Sequence, residues 1–115
     1  MSPKRHSEHA TLRTRAAVFA ALGDATRLSV LARLSNGRRE SISRLTAGTR
    51  MSRQAVTKHL RVLAQAGVVR SVRIGREALF ELEPRPIADV RNYLDEVSRQ
   101  WDDALARLKA HVEDS

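Results

Sequence analysis

Polar and basic side chains recur along residues 52–61 at a spacing that brings them to one face of a helix. Arginine can make two hydrogen bonds with guanine and glutamine two with adenine, so Arg53 and Gln54 are suited to contact DNA bases. The apolar residues between them are predicted to form an opposite, inward face of Val56, Leu60, Leu63 and Ala64. A solvated helix surface would carry similar side chains, so this set alone does not decide between the two interpretations. The predicted DNA contacts of this helix are Ser52, Arg53, Gln54, Thr57, Lys58, His59 and Arg61.

A basic β-hairpin is predicted directly after this helix. Apolar residues alternate along the chain on both sides of Gly75 and Arg76, a dipeptide in the right place for a tight turn. Arg70, Arg73 and Arg76 flank or occupy the tip, and arginines there can enter a minor groove or bind phosphates. Charge also protects an edge strand from pairing with another strand, and both roles can hold together.

Four helices are predicted ahead of the hairpin. The first covers about residues 11–22, and the second follows Asp24 as its N-cap. A short helix over residues 41–46 and a turn lead to the longer helix, which begins after the N-cap Ser52 and ends near Ala66. The buried face of the second helix is predicted to hold Leu28, Leu31, Ala32 and Leu34.

A last, long helix is predicted from about Pro86 to about Val112. Its apolar residues follow one another at intervals of three and four, close to a heptad seam over three repeats. Such a helix is roughly 40 Å long, more than a domain of this size can cover. Pairing with a second copy is therefore favoured over folding back on the chain's own core. The predicted dimer contacts are Leu12, Phe19, Val90, Leu94, Val97, Trp101, Leu105 and Leu108.

This order of elements predicts a mainly α fold with a small β-hairpin wing. Helix, turn, longer helix and basic hairpin form a winged helix-turn-helix, here with a long C-terminal dimerisation helix. A single winged-helix domain is expected over residues 11–115, after a flexible N-terminal tail at residues 1–10. Its reading head is expected at about residues 24–83, and dimerisation through helices at about residues 11–22 and 86–113.

Charge is unevenly distributed along the 115 residues, whose net charge is +8. Residues 1–83 carry 16 Lys and Arg against 6 Asp and Glu, a net charge of +10, whereas residues 84–115 have a net charge of −2. One part of the chain therefore suits a polyanion, most commonly nucleic acid, although positive charge can also serve solubility alone. The chain has no cysteine, no apolar run long enough to cross a membrane and no apolar signal segment, which fits a cytoplasmic protein.

Two segments resemble the ArsR/SmtB family of bacterial winged-helix repressors: FAALGDATR at residues 19–27 and SRQAVTKHLRVLAQAG at residues 52–67. The similarity extends over about residues 14–83, and the last helix resembles that of one metal-independent subgroup. The resemblance implies a homodimer, held by its first and last helices, that binds a partly palindromic operator near a promoter. Ala25 stands where the family often has proline, which could weaken the start of that helix but not the fold.

Many members of that family bind metal, and this sequence lacks their ligands. The positions that align with the family's thiolate pair look like Ser41 and Ser43, whose hydroxyls are poor ligands for soft ions. The family's second site uses Asp, His and Glu of the last helix, where His111 has carboxylates nearby but no second histidine. We therefore predict no metal site and no cofactor, and the sequence identifies no small-molecule effector.

The expected function is sequence-specific binding to double-stranded DNA as a homodimer, most simply as a repressor associated with the bacterial nucleoid. The alternative is a nonspecific architectural DNA-binding protein, which would depend on Lys, Arg and apolar wedges rather than on residues such as Gln54 and Thr57. RNA binding usually needs exposed aromatic rings, and all four aromatic residues are predicted to be buried. An enzyme is disfavoured because the chain has no Gly-rich phosphate loop and no clustered His, Asp and Glu.

Overall fold

In a computed structural model, the described residues form five helices and a small sheet. The structure describes residues 3–35 and 37–114, with side chains from residue 11 onward. This architecture confirms the predicted mainly α fold with a β-hairpin and a long last helix. The elements are α1 (Pro3–Leu22), α2 (Ala25–Leu34), β1 (Glu40–Ser41), α3 (Ile42–Ala47), α4 (Arg53–Gln65), β2 (Val69–Ile74), β3 (Glu77–Leu82) and α5 (Pro84–Glu113).

At the starts of α2, α3 and α4, a side chain satisfies a backbone N–H group that the first turn leaves unpaired. Asp24 accepts a hydrogen bond from the N–H of Arg27 at 2.9 Å, and this bond holds the pKa of Asp24 below its ordinary value. Ser41 accepts from the N–H of Arg44 at 3.1 Å, and Ser52 accepts from that of Ala55 at the same distance. These caps confirm the predicted starts of α2 and α4. The helix α3 begins one residue later than predicted, at Ile42.

The predicted hairpin is present, and it has a third strand beside it. β2 and β3 pair antiparallel around Gly75, whose φ of 64° is the left-handed conformation that glycine adopts without a Cβ clash. β1 adds to the outer edge of β3, with Glu40 opposite Phe80 and Ser41 opposite Leu79. A strand of two residues is too short to show alternation, so sequence periodicity could not reveal it.

The first helix is longer than expected. α1 begins at Pro3 rather than at Thr11, so the backbone of residues 3–10 is helical where a flexible tail was predicted. This stretch is polar and lacks the apolar periodicity that marks a helix, although proline suits a first turn. Met1, Ser2 and the side chains of residues 3–10 lie outside the described part of the chain.

The core is aliphatic and draws on every helix. Leu28 and Ala32, expected on the buried side of α2, are exposed, Leu28 by 50%, whereas Val30 is 1% exposed. The predicted and the observed buried residues of α2 both agree with helical spacing, and only packing against the other helices decides which side of α2 is buried. The buried hydrophobic residues are Val18, Ala21, Val30, Leu31, Leu34, Leu45, Val56, Leu60, Leu63, Val68, Val69 and Val90.

Polar and aromatic contacts join α1 to the first half of α5. The guanidinium of Arg15 donates a hydrogen bond of 2.9 Å to Asp89, which lowers the pKa of that carboxyl group. The same guanidinium lies 4.8 Å from the ring centroid of Tyr93, close enough for a cation–π interaction. The rings of Phe19 and Tyr93 are 6.3 Å apart between centroids. Together these contacts fix the two helices side by side.

A carboxylate between two arginines anchors the hairpin to the body. Glu81 of β3 is only 8% exposed, and it accepts hydrogen bonds from Arg39 at 2.7 Å and from Arg70 at 2.6 Å. Both bonds favour the ionised carboxylate and lower the pKa of Glu81 below its ordinary value. Glu83 lies 3.5 Å from the guanidinium of Arg70 and adds a second negative charge.

We expect Glu81→Gln to lower the urea midpoint of unfolding at pH 7, since it removes the negative charge between Arg39 and Arg70. The folded-state pKa of Glu81 is depressed, so its stabilisation is complete above the unfolded-state pKa and is lost as pH falls through the folded value. The difference from the parent protein should therefore shrink in acid. Glu77→Gln, on the same strand but exposed, is the matched control. Equal midpoints for the two variants at pH 7 would contradict the assignment.

Candidate nucleic-acid interface

The outward face of α4 brings five of the predicted contacts onto one open surface. Four of these side chains are exposed and that of Thr57 is half-buried. Their groups are three cations, one amide and one hydroxyl, all able to hydrogen-bond to base edges or phosphates. The residues that line this depression are Arg53, Gln54, Thr57, Lys58 and Arg61.

The buried face of α4 decides which side chains point outward. Val56 and Leu63 are 0% exposed and Leu60 is 1% exposed, where α4 packs against α1, α2 and α3. In a helix with 3.6 residues per turn, holding these three residues in the core turns the polar positions between them to the solvent. The predicted inward residues are therefore confirmed, apart from Ala64, which is exposed.

Arg53 is held by a neighbouring helix. Its Nη1 donates a hydrogen bond of 3.1 Å to the hydroxyl of Ser43 on α3, and its carbonyl accepts one of 2.8 Å from Thr57. A guanidinium has five N–H donors, so the contact with Ser43 leaves others for a ligand. The sequence analysis missed Ser43 as a partner of Arg53, because the two residues lie on different helices and no local pattern connects them.

His59 lies apart from the other predicted contacts of α4. Its Nδ1 is 4.0 Å from the carboxylate of Asp24, and its side chain is 24% exposed. It does not line the depression formed by the other polar residues of the helix. At 100° per residue, position 59 is rotated by roughly 180° from position 61, toward the start of α2. The structure thus turns His59 toward the body, away from the depression that Arg53, Gln54, Thr57, Lys58 and Arg61 line.

Two arginines of the hairpin are exposed at its tip, and a third forms ion pairs at its base. Arg73 and Arg76 are exposed at the end of the sheet away from the body, beside Gly75. Arg70, which the sequence analysis placed near them, is bound to Glu81 and Glu83 at the base of the hairpin. The positive charge available at the tip is therefore that of Arg73 and Arg76.

The polar face of α4 and the sheet adjoin each other. A second, mostly apolar hollow is lined by Leu60, Ala64 and Phe80, together with Thr57 and Arg61. The last two side chains also line the polar depression, so the two hollows are continuous across α4. The hairpin thus lies on the same side of the molecule as the exposed face of α4.

The predicted dimer contacts fall into exposed, half-buried and buried groups. Val90 is only 4% exposed and belongs to the chain's own core, so it differs from the other seven. Phe19 and Val97 are half-buried. Trp101, expected to be buried, is 66% exposed in the single chain. The exposed members of the predicted set are Leu12, Leu94, Trp101, Leu105 and Leu108.

The described residues contain no group of three or more His, Cys, Asp or Glu side chains placed to hold a metal ion. Ser41 caps α3, and Ser43 accepts the hydrogen bond from Arg53. His111 is exposed near the end of α5. Within the same described ranges, no helix combines the length and the apolar character that a membrane crossing requires.

Comparisons with known proteins agree with this geometry. Residues 22–72 match the model of a helix-turn-helix domain. HTH-type transcriptional regulator Rv2034 of Mycobacterium tuberculosis is 34% identical over 95 residues, which cover 83% of this chain and 85% of that protein. The structure of an ArsR-like transcriptional regulator from Rhodococcus sp. RHA1 is 36% identical, with a TM-score of 0.80 over 87% of this chain and 93% of that one.

A more distant structure shares the fold. It is the homodimeric winged helix-turn-helix DNA-binding domain of Mb0332 from Mycobacterium bovis, a possible ArsR-family regulator. Its sequence is 22% identical to this one, and its TM-score is 0.67, over 87% of this chain and 89% of that one. The fold is thus retained where most of the sequence differs.

Removing the cap of α4 should weaken the helix that carries the polar face. We expect Ser52→Ala to lower the free energy of unfolding by about 1 kcal/mol, since the N–H of Ala55 loses its acceptor. Ser52→Asp keeps an acceptor at the same position and should remain close to the parent protein. Urea denaturation followed by circular dichroism measures both variants. An unchanged midpoint for Ser52→Ala would show that the cap contributes nothing.

Proposed function

The chain belongs to the ArsR-like family of winged helix-turn-helix transcriptional regulators, and we propose that it represses transcription by binding a partly palindromic operator as a homodimer. The observation that carries this proposal is the single exposed surface shared by Arg53, Gln54, Thr57, Lys58 and Arg61, with the basic hairpin on the same side. A helix fits the major groove of DNA, where base edges are distinguishable. We propose no catalytic activity.

In this proposal, the start of α4 reads the bases. Arg53 pairs with guanine, and Gln54 pairs with adenine through its amide. Thr57 contacts a thymine methyl group or a phosphate, while Lys58 and the hydroxyl of Ser52 bind phosphates. Ser43 supports this arrangement, since its hydrogen bond limits the positions that the Arg53 guanidinium can adopt. Arg61, further along the helix, meets the backbone where α4 leaves the groove.

The hairpin acts as the wing. Arg73 and Arg76 insert into the adjacent minor groove or bind its phosphates. The pairing of Glu81 with Arg39 supports this division, because it ties the base of the wing to the body. Arg70 is paired with Glu81 within the hairpin, which leaves the tip to meet DNA. His59, near Asp24, is left out of the proposed contacts.

A homodimer is supported by the exposed apolar side chains of the first and last helices. Leu12 on α1 is 48% exposed, and Trp101, Leu105 and Leu108 on α5 are each more than half exposed. Large apolar side chains arranged in this way usually mark an interface. The related domain of Mb0332 is homodimeric. Val90 is dropped from the proposed interface, because its own chain already buries it.

We propose that repression is independent of metal. Ser41 and Ser43, at the positions that resemble the family's thiolate pair, are occupied with a helix cap and with Arg53. Hydroxyl groups are also poor ligands for soft metal ions. As a DNA-binding regulator, the protein is proposed to act in the bacterial cytoplasm, at the nucleoid.

DNase footprinting on the DNA that flanks the protein's own gene tests the proposed function. We expect a protected, two-fold symmetric site whose half-sites are about one helical turn apart, 34–36 Å between centres. Excess random DNA of equal length should not remove the protection. Uniform coverage without a discrete site would instead favour the architectural alternative.

Two variants should distinguish contacts with the DNA bases from contacts with the DNA backbone. Arg53→Ala should lower the discrimination between operator and random DNA by about 1–3 kcal/mol, as expected for a lost bidentate base contact. Arg76→Ala should weaken both DNAs alike and lower the salt slope by about one, as for a lost phosphate contact. Fluorescence anisotropy at several salt concentrations measures both effects. If Arg53→Ala weakened both DNAs equally, its assignment to base reading would be wrong.

A further inference from the structure

The side chain of Arg33 on α2 reaches the end of α3. Its Nη1 donates a hydrogen bond of 3.0 Å to the carbonyl of Leu45, and its Nη2 donates one of 3.1 Å to the carbonyl of Arg44. Both carbonyls belong to the last four residues of α3, where a helix leaves carbonyl groups without partners inside the helix. The guanidinium of Arg33 thus joins α2 to the end of α3.

The glycine that follows α3 leaves the space that this guanidinium occupies. A Cβ atom at position 48 would lie 2.0 Å from Nη1 of Arg33 and 2.7 Å from its Cζ, well inside van der Waals contact. The φ of Gly48 is −85°, which other residues also adopt, so the backbone itself does not require glycine here. The place of Arg33 therefore explains why position 48 has no side chain.

Three consecutive residues of α3 connect Arg33 with Arg53. Ser43 accepts the hydrogen bond that Arg53 donates, and the next two residues carry the carbonyls that Arg33 binds. The two guanidinium groups come from different helices, α2 and α4, and both bind α3. A shift of the end of α3 away from α2 would therefore also move the hydroxyl group that Arg53 binds.

We propose that Arg33 is a positioning residue for the contact of Arg53 with a DNA base, an inference that rests on the proposed function. Arg33 fixes the end of α3 against α2, and α3 places the hydroxyl of Ser43 that limits the positions of the Arg53 guanidinium. A bidentate contact needs two N–H donors aligned with one base, so a displaced guanidinium discriminates less between bases. Its positive charge still attracts phosphates. Arg33 therefore affects the choice of DNA sequence more than the affinity for DNA in general.

Arg27, also on α2, makes the same kind of contact at another place. Its guanidinium donates hydrogen bonds of 2.6 Å to the carbonyl of Ala21 and of 3.2 Å to that of Ala20. Both acceptors lie at the end of α1, so the loss of these bonds should destabilise the fold without releasing α3. Arg27 is therefore a matched control for Arg33.

A double-mutant cycle measures the coupling between Arg33 and Arg53. Fluorescence anisotropy follows binding to the footprinted operator and to random DNA of equal length, at a temperature where circular dichroism shows each variant folded. Arg33→Met should lower the ratio of the two affinities by roughly three- to tenfold, part of the loss expected for Arg53→Ala. When Arg53→Ala is already present, Arg33→Met should change this ratio by less than about twofold, because the contact that it positions is gone. Arg33→Lys keeps a charged donor and should restore part of the ratio.

A second variant displaces the guanidinium while keeping Arg33. In Gly48→Ala the added Cβ atom forces the guanidinium aside, so the ratio of affinities should fall as it does in Arg33→Met. Combining the two substitutions should lower the ratio no further than Arg33→Met does alone. Arg27→Met, the matched control, should lower the urea midpoint of unfolding and leave the ratio unchanged.

Two results would overturn this role of Arg33 and leave the proposed function intact. One is an equal loss of the ratio with and without the Arg53 side chain, which would show that Arg33 acts on the fold as a whole. The other is an equal loss in Arg27→Met. A parent protein that binds operator and random DNA equally would overturn the proposed function, and this inference with it.

Discussion

The burial of one face of α4 is the constraint on which the remaining architecture depends. Val56, Leu60 and Leu63 are almost completely excluded from solvent, so the helix cannot rotate without exposing apolar area or burying charge. This packing turns the polar face of α4 outward as a single surface and turns His59 toward Asp24. The proposed reading of DNA by this helix therefore depends directly on the core.

Some arginines of the protein form ion pairs that hold elements together, whereas others are exposed on the surface. Glu81 binds Arg39 and Arg70, Asp89 binds Arg15, and all three of these cations help to hold elements together. The cations at the hairpin tip and on α4 are exposed, where a polyanion can reach them. The uneven distribution of charge between residues 1–83 and 84–115 has this structural basis: the head carries the excess and α5 does not.

The long α5 both packs into the core of its own chain and forms part of the proposed dimer interface. Its first half packs against α1 and contributes Val90 to the core, so its direction is fixed relative to the rest of the fold. Its second half exposes apolar side chains that only another molecule can cover. In the proposed homodimer, the distance between the two α4 helices is set by the same helix that joins the copies, which is how a symmetric dimer matches the spacing of half-sites.

Local features of the sequence determined most of the elements. The caps Asp24, Ser41 and Ser52, the turn at Gly75 and the apolar spacing of α4 act within a few residues, and the order of helices and hairpin could be predicted from them. The polar set on α4 was also predictable, because its spacing follows directly from the helical period.

Only the tertiary structure decided the features that depend on distant residues. The pairing of β1 with β3, the contact of Ser43 with Arg53 and the side of α2 that is buried all join segments whose approach no local pattern encodes. The same holds for Val90, which shares the spacing of the exposed apolar residues of α5 but lies where that helix meets the core of its own chain. Periodicity identifies a face of a helix; what covers that face is settled by packing, which involves the whole chain.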